Sequence, residues 1–210
     1  MILPHDNGDS TLSNDTPQWL DAALGGATGG GALTVAQIGS ERLLGRSNFS
    51  LTSVAFKPGG ELDPSFTACE EDAVAPPLEW AAPPPGSQEI VLVVEDLDAK
   101  GSKPKLHWLV WGLPGQKGQL LEGETPPRTG KNGQGNSEWL LPDPPLGDEH
   151  RYVFQLFALE LPLTLMPGAS HDELVAQMKD NVTACAVLTA RFEGHEVEEW
   201  AADDGGWDDE

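Results

Sequence analysis

Residues 88–95 read Gln-Glu-Ile-Val-Leu-Val-Val-Glu. The apolar run Ile90–Val94 is mostly β-branched and too short for a globular helix, so it reads as a buried strand. Pro83-Pro84-Pro85-Gly86 stops regular structure before it, and Asp96-Leu97-Asp98 opens a turn after it. The same signal recurs on either side. Residues 105–113 (Lys-Leu-His-Trp-Leu-Val-Trp-Gly-Leu), 151–160 (Arg-Tyr-Val-Phe-Gln-Leu-Phe-Ala-Leu-Glu) and 186–192 (Ala-Val-Leu-Thr-Ala-Arg-Phe) are strand-like, as is the β-rich stretch 49–57. Gly59-Gly60, Pro114-Gly115, residues 142–147 and Pro167-Gly168 punctuate them. A helix follows Ser170, because Ser170 and Glu173 form a capping box and Leu174, Met178 and Val182 recur at helical spacing. Short strands, Pro/Gly-rich turns and a late helix predict a mainly β fold: an antiparallel β-sandwich with one α-helix in the C-terminal half and an irregular N-terminal arm.

The chain of 210 residues accommodates one domain with appendages. Residues 1–47 read as a partly ordered N-terminal extension. In it Thr16-Pro17 resembles a helix start, residues 18–24 allow two helical turns, and the glycine-rich stretch 25–31 is a connector. Residues 48–193 form the domain, and 194–210 an acidic tail. From Glu193 to Glu210 there are nine acidic residues and no Lys or Arg, with Trp200 and Trp207 among them.

Lys and Arg number 12 against 34 Asp and Glu, a net charge of −22, which excludes nucleic acid as a natural partner. No apolar run reaches 18 residues, so no transmembrane segment is expected. The first residues carry no basic and apolar leader pattern, and Cys69 and Cys185 are too few for a disulfide framework. A cytoplasmic protein with reduced thiols is the expectation.

Four groups able to do chemistry border the apolar strands: Asp96 after 88–95, His107 inside 105–113, and His150 and Tyr152 at the start of 151–160. An ionisable group in a half-buried strand needs a partner. If these strands are neighbours, Asp96 accepts from one imidazole, the other faces an incoming anion, and Tyr152 adds a neutral hydroxyl. Two imidazoles and a carboxylate also match a metal set. The hydrogen-bonded alternative is preferred, and neither metal nor cofactor is expected. No Gly-x-Ser-x-Gly elbow or His-Glu-x-x-His pattern occurs. The stretch 130–135 (Gly-Lys-Asn-Gly-Gln-Gly) neither follows a strand nor opens a helix, and is read as a surface loop.

Asp96-Leu97-Asp98-Ala99, His107-Trp108, and Pro144-Pro145-Leu146-Gly147 running into His150-Arg151-Tyr152 resemble the phosphatidylethanolamine-binding protein family, most closely its bacterial Raf-kinase-inhibitor-like branch. Residues 51–56 with Gly59-Gly60 and Asp63-Pro64, and residues 75–80, extend the likeness, which covers 49–193 in order. The resemblance implies a β-sandwich with a small anion pocket lined by Asp96, His107, His150 and Tyr152. Pro144-Pro145 would form one lip, Trp139 would stand at the rim, and Arg151 would make a structural ion pair. Leu97 and Lys100 replace two prolines of the family pattern, Ala75 a serine, and Asp143 a glycine at the mouth, where Lys100, Lys103 and Lys105 also gather.

The expected function is therefore a non-enzymatic binding and regulatory protein for a small phosphate-, phosphoethanolamine- or carboxylate-like ligand. The alternative is a protein-interaction module, like the kinase- and protease-inhibiting members, with a vestigial pocket and a protein partner. A weak hydrolase using His107 or His150 as base stands third. A homodimer follows from the resemblance alone.

Overall fold

The computed structural model describes residues 15–195. Among these residues nine strands, β1 (Leu51–Thr52), β2 (Gly60–Glu61), β3 (Leu78–Trp80), β4 (Glu89–Asp96), β5 (Lys105–Pro114), β6 (Gly118–Leu120), β7 (Arg128–Thr129), β8 (Glu149–Leu159) and β9 (Val182–Glu193), form two sheets. The larger runs β2-β9-β8-β4-β5-β7 and the smaller β1-β3-β6. All strand pairings are antiparallel except β2 with β9, an edge pair that runs parallel.

Alternation along β4 explains its continuous apolar run. Ile90, Leu92 and Val94 point between the sheets, where Phe49, Phe56, Leu78, Trp80, Phe154 and Leu156 join them. Val91 and Val93 point to the opposite face, against Leu109, Trp111, Val153 and Phe157. That face is covered by the helix α2 (His171–Met178), through Leu174 and Met178, and by the N-terminal arm, through Leu20, Leu24, Leu33 and Val35. A strand buried on both faces has no polar side to show, whatever the direction of its neighbours. Each buried arm leucine or valine contributes about 1.5–3 kcal/mol of apolar transfer, so residues 15–47 are part of the packed structure.

Several local expectations are corrected. The stretch 49–57 is a strand only at Leu51–Thr52. Ser53 then turns the chain, donating its hydroxyl to the Pro77 carbonyl and accepting from the Ala55 amide. Val182 does not belong to the helix: α2 ends at Met178, Asp180 takes φ +63°, and Val182 opens β9. The predicted capping box between Ser170 and Glu173 is present. Thr16 does not cap a helix. It donates to the Ala27 carbonyl at 2.5 Å and accepts from the Gly30 amide, closing a loop in which only Gln18–Leu20 forms a 3-10 turn. Within the glycine-rich stretch Gly30 is tightly placed, for a Cβ on it would stand 2.6 Å from Leu24 Cδ1, whereas Gly25 and Gly26 have open space around them. Gly130–Gly135 does follow a strand, β7, contrary to expectation, but opens no helix: it is a surface loop along the edge of β5, wound about Asn132, whose side chain accepts from the Gln134 and Asn136 amides. The acidic residues from Glu196 onward, with Trp200 and Trp207, lie outside the described residues, as do residues 1–14.

Candidate functional site

The site lies where β4, β5 and β8 end together. Asp96 closes β4 and pairs in register with Lys105 of β5 and Tyr152 of β8, which brings three chain segments to one corner of the sheet. His107 owes its direction to an irregularity in β5. Leu106 pairs with Glu95 and Trp108 with Val94, leaving His107 as an extra residue between them. Such a bulge re-aims a side chain. Regular alternation would put His107 and Trp108 on opposite faces. With the bulge, Trp108 enters the core between the sheets while His107 and Lys105 both border the hollow beside it.

Asp96 is the centre of the local hydrogen bonding. Its Oδ1 accepts from the amides of Asp98 (2.9 Å) and Ala99 (3.1 Å), and its Oδ2 lies 2.8 Å from His150 Nδ1. The first two bonds fold the loop after β4. Asp98 completes the loop by accepting from Arg151 Nε (2.7 Å) and the Arg151 amide (2.8 Å), while Arg151 Nη2 reaches its other oxygen at 2.5 Å. Burial pushes the Asp98 carboxyl upward, but the Arg151 hydrogen bonds outweigh it and hold the carboxyl below its usual range. Arg151 is thus occupied in a structural ion pair, as expected.

The two imidazoles are committed on one edge each. His150 presents Nδ1 to Asp96. His107 presents Nδ1 to the Leu140 carbonyl at 2.6 Å. A carbonyl only accepts, so His107 Nδ1 carries the proton and, in the neutral ring, Nε2 is a bare lone pair. That Nε2 is buried and has no partner. Desolvation by burial is the main cause of its low proton affinity, bringing the His107 pKa to about 4; Lys105 and His150 push the same way, and the Leu140 carbonyl and Asp96 oppose them. The Tyr152 ring meets His107 edge-on at 5.1 Å. Burial, then the nearby Asp96 and Asp143 charges, drive the Tyr152 phenol far above its ordinary value, so it stays a neutral donor.

These groups surround an open hollow of about 250 Å³. Asp96, His107, His150 and Tyr152 form its floor, and Ala99, Lys100, Lys105, Asp143 and Pro145 its sides. The four predicted side chains that converge there are therefore Asp96, His107, His150 and Tyr152. Two others differ from expectation. Pro144 is buried and Pro145 supplies the lip. Trp139 stands behind the floor: it stacks on Phe154 at 6.0 Å, donates Nε1 to the Phe66 carbonyl at 3.2 Å, and lines a neighbouring hollow of about 460 Å³ with Trp108. The participation of the Leu140 carbonyl left no trace in the sequence, since a main-chain acceptor has no side-chain signature. No group of three His, Cys, Asp or Glu residues able to hold a metal is found among the described residues. Asp96, with both oxygens accepting from the protein, has little left to offer one.

The chain matches the phosphatidylethanolamine-binding protein family over residues 52–193. It belongs to that family. A Mycobacterium tuberculosis relative provisionally named lipoprotein LppC is 34% identical over 148 residues, 69% of this chain and 72% of that one. Among solved structures, the phosphatidylethanolamine-binding protein homologue CT736 of Chlamydia trachomatis is 28% identical with a TM-score of 0.66, covering 70% of this chain and 98% of its own. Escherichia coli YbcL, described as a new member of the mammalian family, is 25% identical with a TM-score of 0.64, covering 70% and 99%. Among the described residues of this phosphatidylethanolamine-binding protein family member, no helix is long and apolar enough to cross a membrane.

Proposed function

We propose that the protein is a non-enzymatic binding and regulatory protein whose hollow at the end of β4, β5 and β8 takes the phosphoryl or carboxylate head group of a small ligand. The observation that carries this reading is His107 Nε2, a buried polar atom with no protein partner, at the floor of an open hollow. Buried polar groups are almost always paired, and an unpaired one beside a cavity suits a ligand. Lys100 and Lys105 supply positive charge, and the Tyr152 hydroxyl a neutral donor. Asp96 acts through His150, holding at Nδ1 a ring that lines the hollow. The cytoplasm is taken as the working compartment on the strength of two unpaired cysteines, and a homodimer as the expected assembly.

The test is a crystal of the full chain soaked with phosphate or phosphoethanolamine. An anion bound within hydrogen-bond reach of His107 and His150 supports the reading. A hollow that stays empty of anion at saturating concentration, in a protein that still captures a protein partner, supports the interaction module instead.

A further inference from the structure

Resting on the anion-pocket reading, the hollow makes a demand on its ligand that follows from hydrogen-bond direction. His107 Nδ1 donates to the Leu140 carbonyl, so Nε2, the one uncommitted nitrogen of a ring that lines the hollow, is a buried acceptor. An oxyanion with no proton brings only lone pairs, and at His107 it meets another lone pair. An oxyanion that keeps one O–H donates it to His107 Nε2 and turns its charged oxygens to the Tyr152 hydroxyl and the Lys105 ammonium.

We propose that the hollow selects small phosphoryl groups that still carry a proton, with His107 Nε2 as the acceptor that reads it. The groups facing His107 are Lys105 on its own strand, Asp96 on β4, His150 and Tyr152 on β8, and Asp143 from the lip. Burial keeps His107 neutral at pH 7, with its pKa near 4. Discrimination against proton-free anions of the same shape is strong, because the wrong ligand leaves a buried acceptor unpaired. Free phosphate keeps an O–H throughout the neutral and alkaline range. A phosphomonoester loses its last proton near pH ~6, and a phosphodiester head group has none to give.

Calorimetric titration of the full chain tests this with inorganic phosphate, methyl phosphate, dimethyl phosphate and sulfate. Phosphate is expected to bind about tenfold to a hundredfold more tightly than sulfate at pH ~7. Between pH ~6 and ~8, methyl phosphate loses about tenfold more affinity than inorganic phosphate, which serves as the control for titration of the protein and separates the two phosphoryl sources. Dimethyl phosphate behaves like sulfate. In His107→Gln, whose amide can rotate to donate, the phosphate-to-sulfate ratio narrows. Equal binding of phosphate and sulfate by the unmodified chain overturns the proton requirement and leaves the anion pocket standing. Absence of binding by all four overturns both.

Discussion

Neighbouring residues of β4 nucleate two polar clusters on opposite faces of one sheet, and they end differently. Glu95 points under the N-terminal arm. Its Oε2 accepts from the Thr34 amide (2.8 Å) and from Gln155 Nε2 (2.6 Å), while Gln155 Oε1 accepts from the Val35 amide (2.7 Å). Thr34 Oγ1 lies 2.7 Å from His171 Nε2 on α2. Those two amides open a five-residue helix, α1 (Thr34–Ile38), whose first-turn donors would otherwise be orphans. Asp96, one residue on, faces the hollow, and its cluster leaves His107 Nε2 without a partner. The first cluster closes on itself and fastens the arm to the sheet. The second lacks one partner and opens toward water. Two Glu/Asp–His–Gln/Tyr groupings of similar composition are thus told apart by hydrogen-bond completeness and access. The other buried orphan among the described residues, Trp111 Nε1, is packed in the arm-side core.

The sharpest way to break this contrast is Glu95→Ala. It strands the Thr34 amide and the Gln155 side chain as buried donors, at a cost of about 3 kcal/mol or more. A melting temperature lower by about 6–12 °C is expected, with phosphate affinity measured below the transition unchanged. Loss of affinity in a folded Glu95→Ala protein would join the two clusters into one unit and remove the distinction.

Acid is expected to act on the other cluster with comparable size. His107 is held at about 4 in the folded state against an ordinary value of 6.5. As pH falls the unfolded chain takes up the proton first, so this contribution is whole above pH ~6.5 and is lost toward pH ~4, by which point about 3 kcal/mol has gone. Denaturant unfolding across that range should show the loss, and His107→Phe should flatten that part of the curve. An unchanged curve in His107→Phe would assign the acid sensitivity elsewhere.

Smaller in free energy is His150→Ala, which removes the ring Asp96 orients. Phosphate binding is expected to weaken about tenfold to a hundredfold, with a smaller fall in melting temperature than Glu95→Ala produces. The mildest change is Ser170→Ala, which removes the α2 cap next to His171 at about 1 kcal/mol, or about 2–4 °C, and leaves phosphate affinity alone.

The long strands and the capping box were legible because their signals are local: an apolar run between turns, and a serine three residues before a glutamate; the two- and three-residue strands β2, β3, β6 and β7 were not, being too short to carry such a run. The convergence of Asp96, His107, His150 and Tyr152 was suggested by family resemblance. Its geometry depends on the single-residue bulge at His107, which the residues 105–113 do not advertise. The Glu95–Gln155–Thr34–His171 cluster was not anticipated, because its members lie up to 137 residues apart and two of its donors are main-chain amides. The arm read as partly ordered because its seven-residue glycine-rich connector carries an entropic signal for flexibility, whereas Leu20, Leu24, Leu33 and Val35, scattered through it, supply burial against the sheet.

The most direct measurement is a phosphate titration of the full chain followed by NMR of the histidine rings. The account predicts saturable movement of the His107 and His150 ring signals with His171 unmoved. Stationary His107 and His150 signals at saturating phosphate, or equal movement of all three, would contradict it.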